Sequence, residues 1–208
     1  MTDERWICVT AEGEASVAPD VAVVSFAVSG SDKQLTAARD DVNRRSSTVL
    51  AGLRELGVAD ADMNAPDMGI HPEYDYRKGQ RLIGYRVVRQ MTAKVRDLER
   101  LGDVLDGIVA AGANEVHGAQ MTASDASAAE HEALAQAVGM ARAKADAVAA
   151  AAGVTLGQAV RIEEEPEHGP PMPRIGLMAR AAEADVPTEV AAGDLAVRRR
   201  IRAWFELG

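Results

Sequence analysis

Apolar and polar positions alternate from residue 6 to residue 29 in two runs. Ile7, Val9 and Ala11 share one side of the first run. Val21, Val23, Ser25 and Ala27 share one side of the second, and Ala22, Val24, Phe26 and Val28 share the other. A period of two is the strand signal, and a strand apolar on both sides belongs inside a sheet. Ser16-Val17-Ala18-Pro19-Asp20 supplies turn residues between the runs, so the pair is predicted to form a hairpin. Gly13 suits a bend or bulge in the first strand.

The period then changes to that of helices. The first follows Ser31 and Asp32 as candidate caps, carries Leu35, Ala38, Val42, Val49, Leu50, Leu53 and Leu56, and stops at Gly57. The second starts at Asp97, presents Leu98, Leu101, Val104, Leu105 and Ile108 on one face, and stops at Gly112. The third opens with Ser127 three residues before Glu130, the spacing of a capping box. It runs through Leu134, Val138, Ala141, Ala145 and Val148 to Gly153. A glycine after the last periodic residue is a C-terminal stop, because it adopts the left-handed conformation without a steric cost.

Between the first two helices lies a second predicted hairpin: Ile70–Tyr76 extended, Arg77-Lys78-Gly79-Gln80 as the turn, and Leu82–Val95 returning. On the return strand Ile83, Tyr85, Val87, Met91 and Val95 share a face that Arg89 interrupts. Gly84, near Tyr74 and Tyr76, suits a ring laid over the strand backbone. Short strands are expected at Val116–Met121 and Ala159–Glu164, and a last one, internal to its sheet, over Leu195–Leu207. Residues 165–192 hold Pro166, Pro170, Pro171, Pro173 and Pro187 without periodicity and read as a long irregular loop. Intermixed helices and tight hairpins predict an α+β domain, a mainly antiparallel sheet with two hairpins and three helices packed on one face. The 208 residues suit a single such domain.

Composition narrows the function classes. At 47% hydrophobic and 26% charged, the chain is globular, and with only 3% aromatics its core must be aliphatic. A formal charge of −9 argues against nucleic acid as a partner. No run reaches the roughly 20 apolar residues of a membrane span. The start Met1-Thr2-Asp3-Glu4-Arg5-Trp6 has neither a basic nor an apolar leader region, so the expected compartment is the cytoplasm. Cys8 is the single cysteine; it excludes an internal disulfide and reads as a half-buried structural thiol.

Candidate chemistry is sparse. His71, Glu73 and Asp75 alternate, so a regular strand would put them on one face, the start of a metal site; a structural hairpin arm explains them as well. His117, His131 and His168 stand alone. There is no G-x-S-x-G, no H-E-x-x-H, no phosphate-binding loop and no dinucleotide fingerprint. Arg198, Arg199, Arg200 and Arg202 form the one basic cluster, with Trp204 following. Alternation places Arg198, Arg200, Arg202 and Trp204 on one side of the last strand, where Glu163 and Glu165 of a neighbouring strand would neutralise the arginines. Small residues on several faces of the third helix allow close approach by another element, within the subunit or across an interface. In the long loop, Ile175, Leu177 and Met178 are candidate anchors for a partner.

The order of motifs resembles the SIMPL domain family. The matching pieces are Val9-Thr10-Ala11-Glu12-Gly13-Glu14, Val17-Ala18-Pro19-Asp20, Pro72-Glu73-Tyr74-Asp75-Tyr76 and Ile83-Gly84-Tyr85-Arg86. They continue with Val95-Arg96-Asp97-Leu98, Ala111-Gly112-Ala113-Asn114, Ala141-Arg142-Ala143-Lys144-Ala145, Ala152-Gly153-Val154-Thr155-Leu156-Gly157 and Phe205-Glu206-Leu207. The family includes bacterial periplasmic oxidative-stress proteins, a bacterial outer-membrane antigen and an animal protein that associates with a pelle-like kinase. The resemblance brings no catalytic residues and no cofactor. It implies a non-enzymatic, self-associating protein linked to oxidative-stress tolerance or envelope maintenance. Two other readings stand beside it: an adaptor binding another protein through the 165–192 loop, and a metal-dependent enzyme using the His71 region.

Overall fold

The structure, a computed structural model, describes residues 5–66, 68–77, 79–165, 172–173 and 193–208. Its class is α+β, with three helices and antiparallel strand pairing throughout the named ladders. The strands form two sheets rather than the one expected, and the chain divides into two compact units.

The first unit contains β1 (Trp6–Val17), α3 (Ser127–Ala152), β7 (Leu156–Glu165), β8 (Met172–Pro173) and β9 (Leu195–Leu207). Its sheet runs β1-β9-β7, with the short β8 also on β9. The last strand is internal, as its alternation predicts, and Val197, Ile201, Ala203 and Phe205 are buried on the face that α3 covers. The helix buries a stripe of alanines four residues apart, Ala129, Ala133, Ala137, Ala141, Ala145 and Ala149. Val138 and Val148, further along the same helix, are exposed. Small side chains bring the helix axis close to the sheet, and only a narrow strip of helix then makes contact.

The second unit contains β2 (Val21–Asp32), α1 (Leu35–Glu55), β3 (Met63–Asn64), β4 (Met68–Asp75), β5 (Arg81–Val95), α2 (Leu101–Ala110) and β6 (Glu115–Thr122). Its sheet runs β3-β5-β2-β6, with β4 also paired to β5. The two-sided apolar strand β2 is central, and Ala22, Val24, Phe26 and Val28 have essentially no exposure. Against them pack Val42, Val49 and Leu53 of α1 and Leu101, Val104 and Ile108 of α2.

Four local expectations are corrected. The first two strands form no hairpin: β1 pairs with β9 over its whole length, while β2 lies between β5 and β6. Two long apolar strands each find a better-matched partner far along the chain. The capping box at α3 does not form; Asp125 Oδ1 instead accepts the Ser127 N–H at 2.9 Å, and Glu130 is drawn to Arg199 at 2.5 Å. Gly13 marks no bulge, since the β1–β9 register runs unbroken. At Gly84 the close neighbour is backbone rather than a ring, since a side chain there would meet the backbone oxygen of Asp32 at 2.8 Å.

The glycine stops hold. All three helices close with a reach-back bond, from Val58 N to Leu53 O, Ala113 N to Ile108 O and Val154 N to Ala149 O, at 3.0–3.1 Å. The intervening Gly57, Gly112 and Gly153 have positive φ. The second hairpin, β4–β5, is also present, with a register shift at Glu73/Tyr74.

Candidate interaction surfaces

The β4–β5 hairpin carries the proposed metal residues. Along β4, His71 lies opposite Arg86, Glu73 opposite Gly84 and Asp75 opposite Arg81. Two of the three carboxylate and imidazole groups are engaged separately: Glu73 Oε1 accepts the Ser31 hydroxyl at 3.4 Å, and Asp75 Oδ1 accepts the Arg77 N–H at 2.9 Å. Among the described residues no three His, Cys, Asp or Glu side chains are grouped so as to hold a metal ion. His117 and His131 are exposed, and His168 lies outside the described residues.

What the sequence did not single out is the apolar surface of this hairpin. Ile70, Tyr74, Tyr76, Leu82 and Ile83 are 36–71% exposed. Tyr74 and Tyr76 stand with ring centres 6.3 Å apart, and with Asp75, Arg77 and Ile83 they line an open hollow. A strand signal was available: alternation on β5 continues to Ile83, past the point where the helices provide cover. The loop residues Ile175, Leu177 and Met178 lie outside the described residues.

On the first sheet, the face away from α3 is a ladder of opposite charges. Arg198 donates to Glu14 at 2.8 Å, Arg200 to Glu12 at 3.0 Å and Arg202 to Glu165 at 2.8 Å. Arg161 pairs with Glu163 and lies 5.0 Å from the centre of the Trp204 ring. The basic cluster is thus flanked by glutamates on both neighbouring strands, including the Glu165 foreseen for it. Such exposed pairs fix register more than they stabilise, at about 0.2–1 kcal/mol each. Arg199, on the helix side, meets Glu130 and Glu164. Cys8 sits on the ladder face opposite Trp204 and is exposed, which corrects the half-buried reading. Even positions of β1 turn away from α3.

In the second unit Asn114 extends the sheet just before β6 begins. Its Oδ1 accepts the Ser29 N–H at 2.8 Å, and its Nδ2 donates to Ser29 O at 3.0 Å and to Ser29 Oγ at 3.1 Å. The side-chain amide thereby stands in for one more residue of backbone ladder. Beside it the Ser29 hydroxyl and the Arg86 guanidinium, 2.7 Å away, hold the Glu115 carboxyl below the usual range.

Two antiparallel sheets with their own helices, glycine-stopped helix ends and a ladder of opposite charges define an α+β class of protein. The chain belongs to the SIMPL family, a protein family of unknown function (DUF541), whose model matches residues 7–205. It is 32% identical over 217 residues to the 26 kDa periplasmic immunogenic protein of Brucella melitensis biotype 1, covering 99% of this chain and 86% of that protein. It is 30% identical to the uncharacterized protein YggE of Edwardsiella ictaluri, covering 85% and 76%. To the uncharacterized protein YggE of Escherichia coli K12 it is 31% identical over 52% of this chain and 45% of that protein.

Proposed function

We propose that this chain is a non-enzymatic SIMPL protein that works by self-association, in oxidative-stress tolerance or envelope maintenance. The observation that carries the reading is the exposed apolar cluster on the β4–β5 hairpin. Single exposed apolar residues are ordinary, whereas Tyr74, Tyr76 and Ile83 lining one hollow, with Leu82 opposite Tyr74, have the character of an interface. Val138, Met140 and Val148 on the outer side of α3 add to the apolar surface available for contact. Among the described residues no helix is long and apolar enough to cross a membrane.

Light scattering on the purified chain tests the reading. A discrete multiple of the monomer mass is expected, reduced when Tyr76 and Ile83 are both changed to Glu; a monomer at every concentration overturns it. Fractionation of the expressing cell tests the compartment. Recovery inside the inner membrane is expected on the cytoplasmic reading, and recovery outside it would place the assembly where the names of the Brucella relatives place those proteins.

A further inference from the structure

Sheet edges are where proteins guard against unwanted pairing, with short strands, prolines, bulges and lysines. In the second unit β3 is two residues long, β4 contains Pro72 and a register shift, and β6 has a register shift where it pairs with Ser25 and Phe26 of β2. In the first unit β8 is two residues long and β7 has two register shifts. β1 differs from all of these. It pairs with β9 through twelve consecutive positions without a shift, and among the described residues no strand pairs with its other side.

The direction of its backbone groups follows from one bond. Arg5 O accepts the Leu207 N–H, so odd-numbered residues here face β9. Residues of an antiparallel strand alternate between the two neighbours, so Trp6, Cys8, Thr10 and Glu12 turn their N–H and C=O groups outward. Thr10 bears this out: its carbonyl oxygen takes the Lys144 ammonium of α3 at 3.0 Å. That lysine is the guard on an otherwise flat edge. The side chains of Trp6, Cys8 and Glu12 are exposed, so the ladder face leaves room for a further strand.

We propose that β1 is a pairing edge and that its occupant is β1 of a second copy of this chain, antiparallel, about a two-fold axis at Thr10. This rests on the self-association reading and adds to the hairpin surface a second contact, through β1. The choice of occupant comes from the strand's own charge pattern. Its outward-facing half from Trp6 to Cys8 is uncharged, and the half from Glu12 to Glu14 is acidic. Mating at Thr10 sets Cys8 against Glu12 and Trp6 against Glu14 of the other copy, so no glutamate meets a glutamate. A chain carrying −9 gains from a register that separates its like charges. The bond from Lys144 must open for the second strand to enter.

Two variants test this. Thr10→Pro removes only an outward N–H, so the β1–β9 ladder remains and the edge is blocked. Its mass by light scattering should fall by about two-fold, the loss of one two-fold interface, with the combined fluorescence of Trp6 and Trp204 reporting that the unit is folded. Thr10→Cys, in a Cys8→Ser background, places thiols on the axis, where paired residues have Cα atoms about 5.5 Å apart, within disulfide reach. A mild oxidant should convert it to a covalent dimer. A wild-type chain that is multimeric while the Thr10→Cys variant stays uncrosslinked overturns the β1 edge and leaves self-association standing. A monomeric wild type overturns both. The cross-link decides if Thr10→Pro fails to fold.

Discussion

Gly13 shows how a single residue sets the distance between two elements. A Cβ at this position would lie 2.7 Å from the backbone nitrogen of Ala137 and 2.9 Å from Cβ of Gln136, and would run into the carbonyl oxygen of Ala133. The helix therefore rests directly on the strand, and the alanine stripe is its counterpart. Gly13→Ala has no flexible side chain to displace, only helix backbone, so an overpacking cost of about 1–3 kcal/mol or more is expected. Urea unfolding followed by tryptophan fluorescence measures it; a loss below about 0.5 kcal/mol would mean that α3 shifts without cost. The residue was conspicuous in the sequence, but its role was not. A glycine in a strand signals either a bulge or a close approach, and nothing local distinguishes them. Asn114 was similarly visible within Ala111-Gly112-Ala113-Asn114, and its use as a stand-in for backbone depends on Ser29, 85 positions away. Exposure of Cys8 follows from which side of β1 faces α3, which alternation alone does not assign.

At the scale of elements, patterning predicted each strand's faces better than its neighbours. The apolar runs made β2 and β9 central, and both are. The same alternation could not reveal that β1 pairs with β9 at the opposite end of the chain, because local sequence favoured the short turn at Pro19. Some elements are too short to pattern at all. β3 is two residues, paired at Met63↔Ala93 and Asn64↔Thr92, and it is held by charge. Asp62, just before it, receives two hydrogen bonds of 2.8 Å from Arg96 at the end of β5. The hydrogen bond from Arg96 lowers the Asp62 pKa from its ordinary 3.8. A carboxyl lowered on folding contributes stability above its ordinary value, and that stability is lost as pH falls through the lowered one. Asp62→Asn should therefore destabilise the chain at neutral pH, with the deficit shrinking as the solution is acidified below the aspartate range. Urea midpoints measured across that range give the answer, and a deficit independent of pH would remove the ion pair as its cause.

At the scale of the whole molecule, one unit is inserted in the other. In the sequence, the first unit takes β1 from before Asp20–Thr122 and α3, β7 and β9 from after it. The inserted unit begins and ends at hydrogen-bonded neighbours, with Asp20 N donating to Thr122 O at 3.1 Å and Val21 opposite Thr122. While it is folded, β1 and α3 are tethered through a short connection. If it unfolds, β1 must find β9 across a loop of about a hundred residues, an entropy cost of about 4 kcal/mol. The inserted unit suffers no such penalty when the first unit opens, since Asp20–Thr122 is continuous and has its own core. Expecting a single domain thus becomes a question of cooperativity, and the residues supply the probes. Each unit contains one of the two phenylalanines, both buried, Phe26 in the insert and Phe205 in the host. Both tryptophans, Trp6 and Trp204, lie in the host, and the three tyrosines, Tyr74, Tyr76 and Tyr85, lie in the insert. Either Phe→Ala change should cost its own unit about 3–5 kcal/mol. Phe26→Ala should also lower the tryptophan-detected midpoint, although no tryptophan is in its unit. Phe205→Ala should lower that midpoint while the tyrosine near-UV signal persists to higher urea. A tryptophan transition untouched by Phe26→Ala would mean that the tether contributes nothing and the two units fold independently.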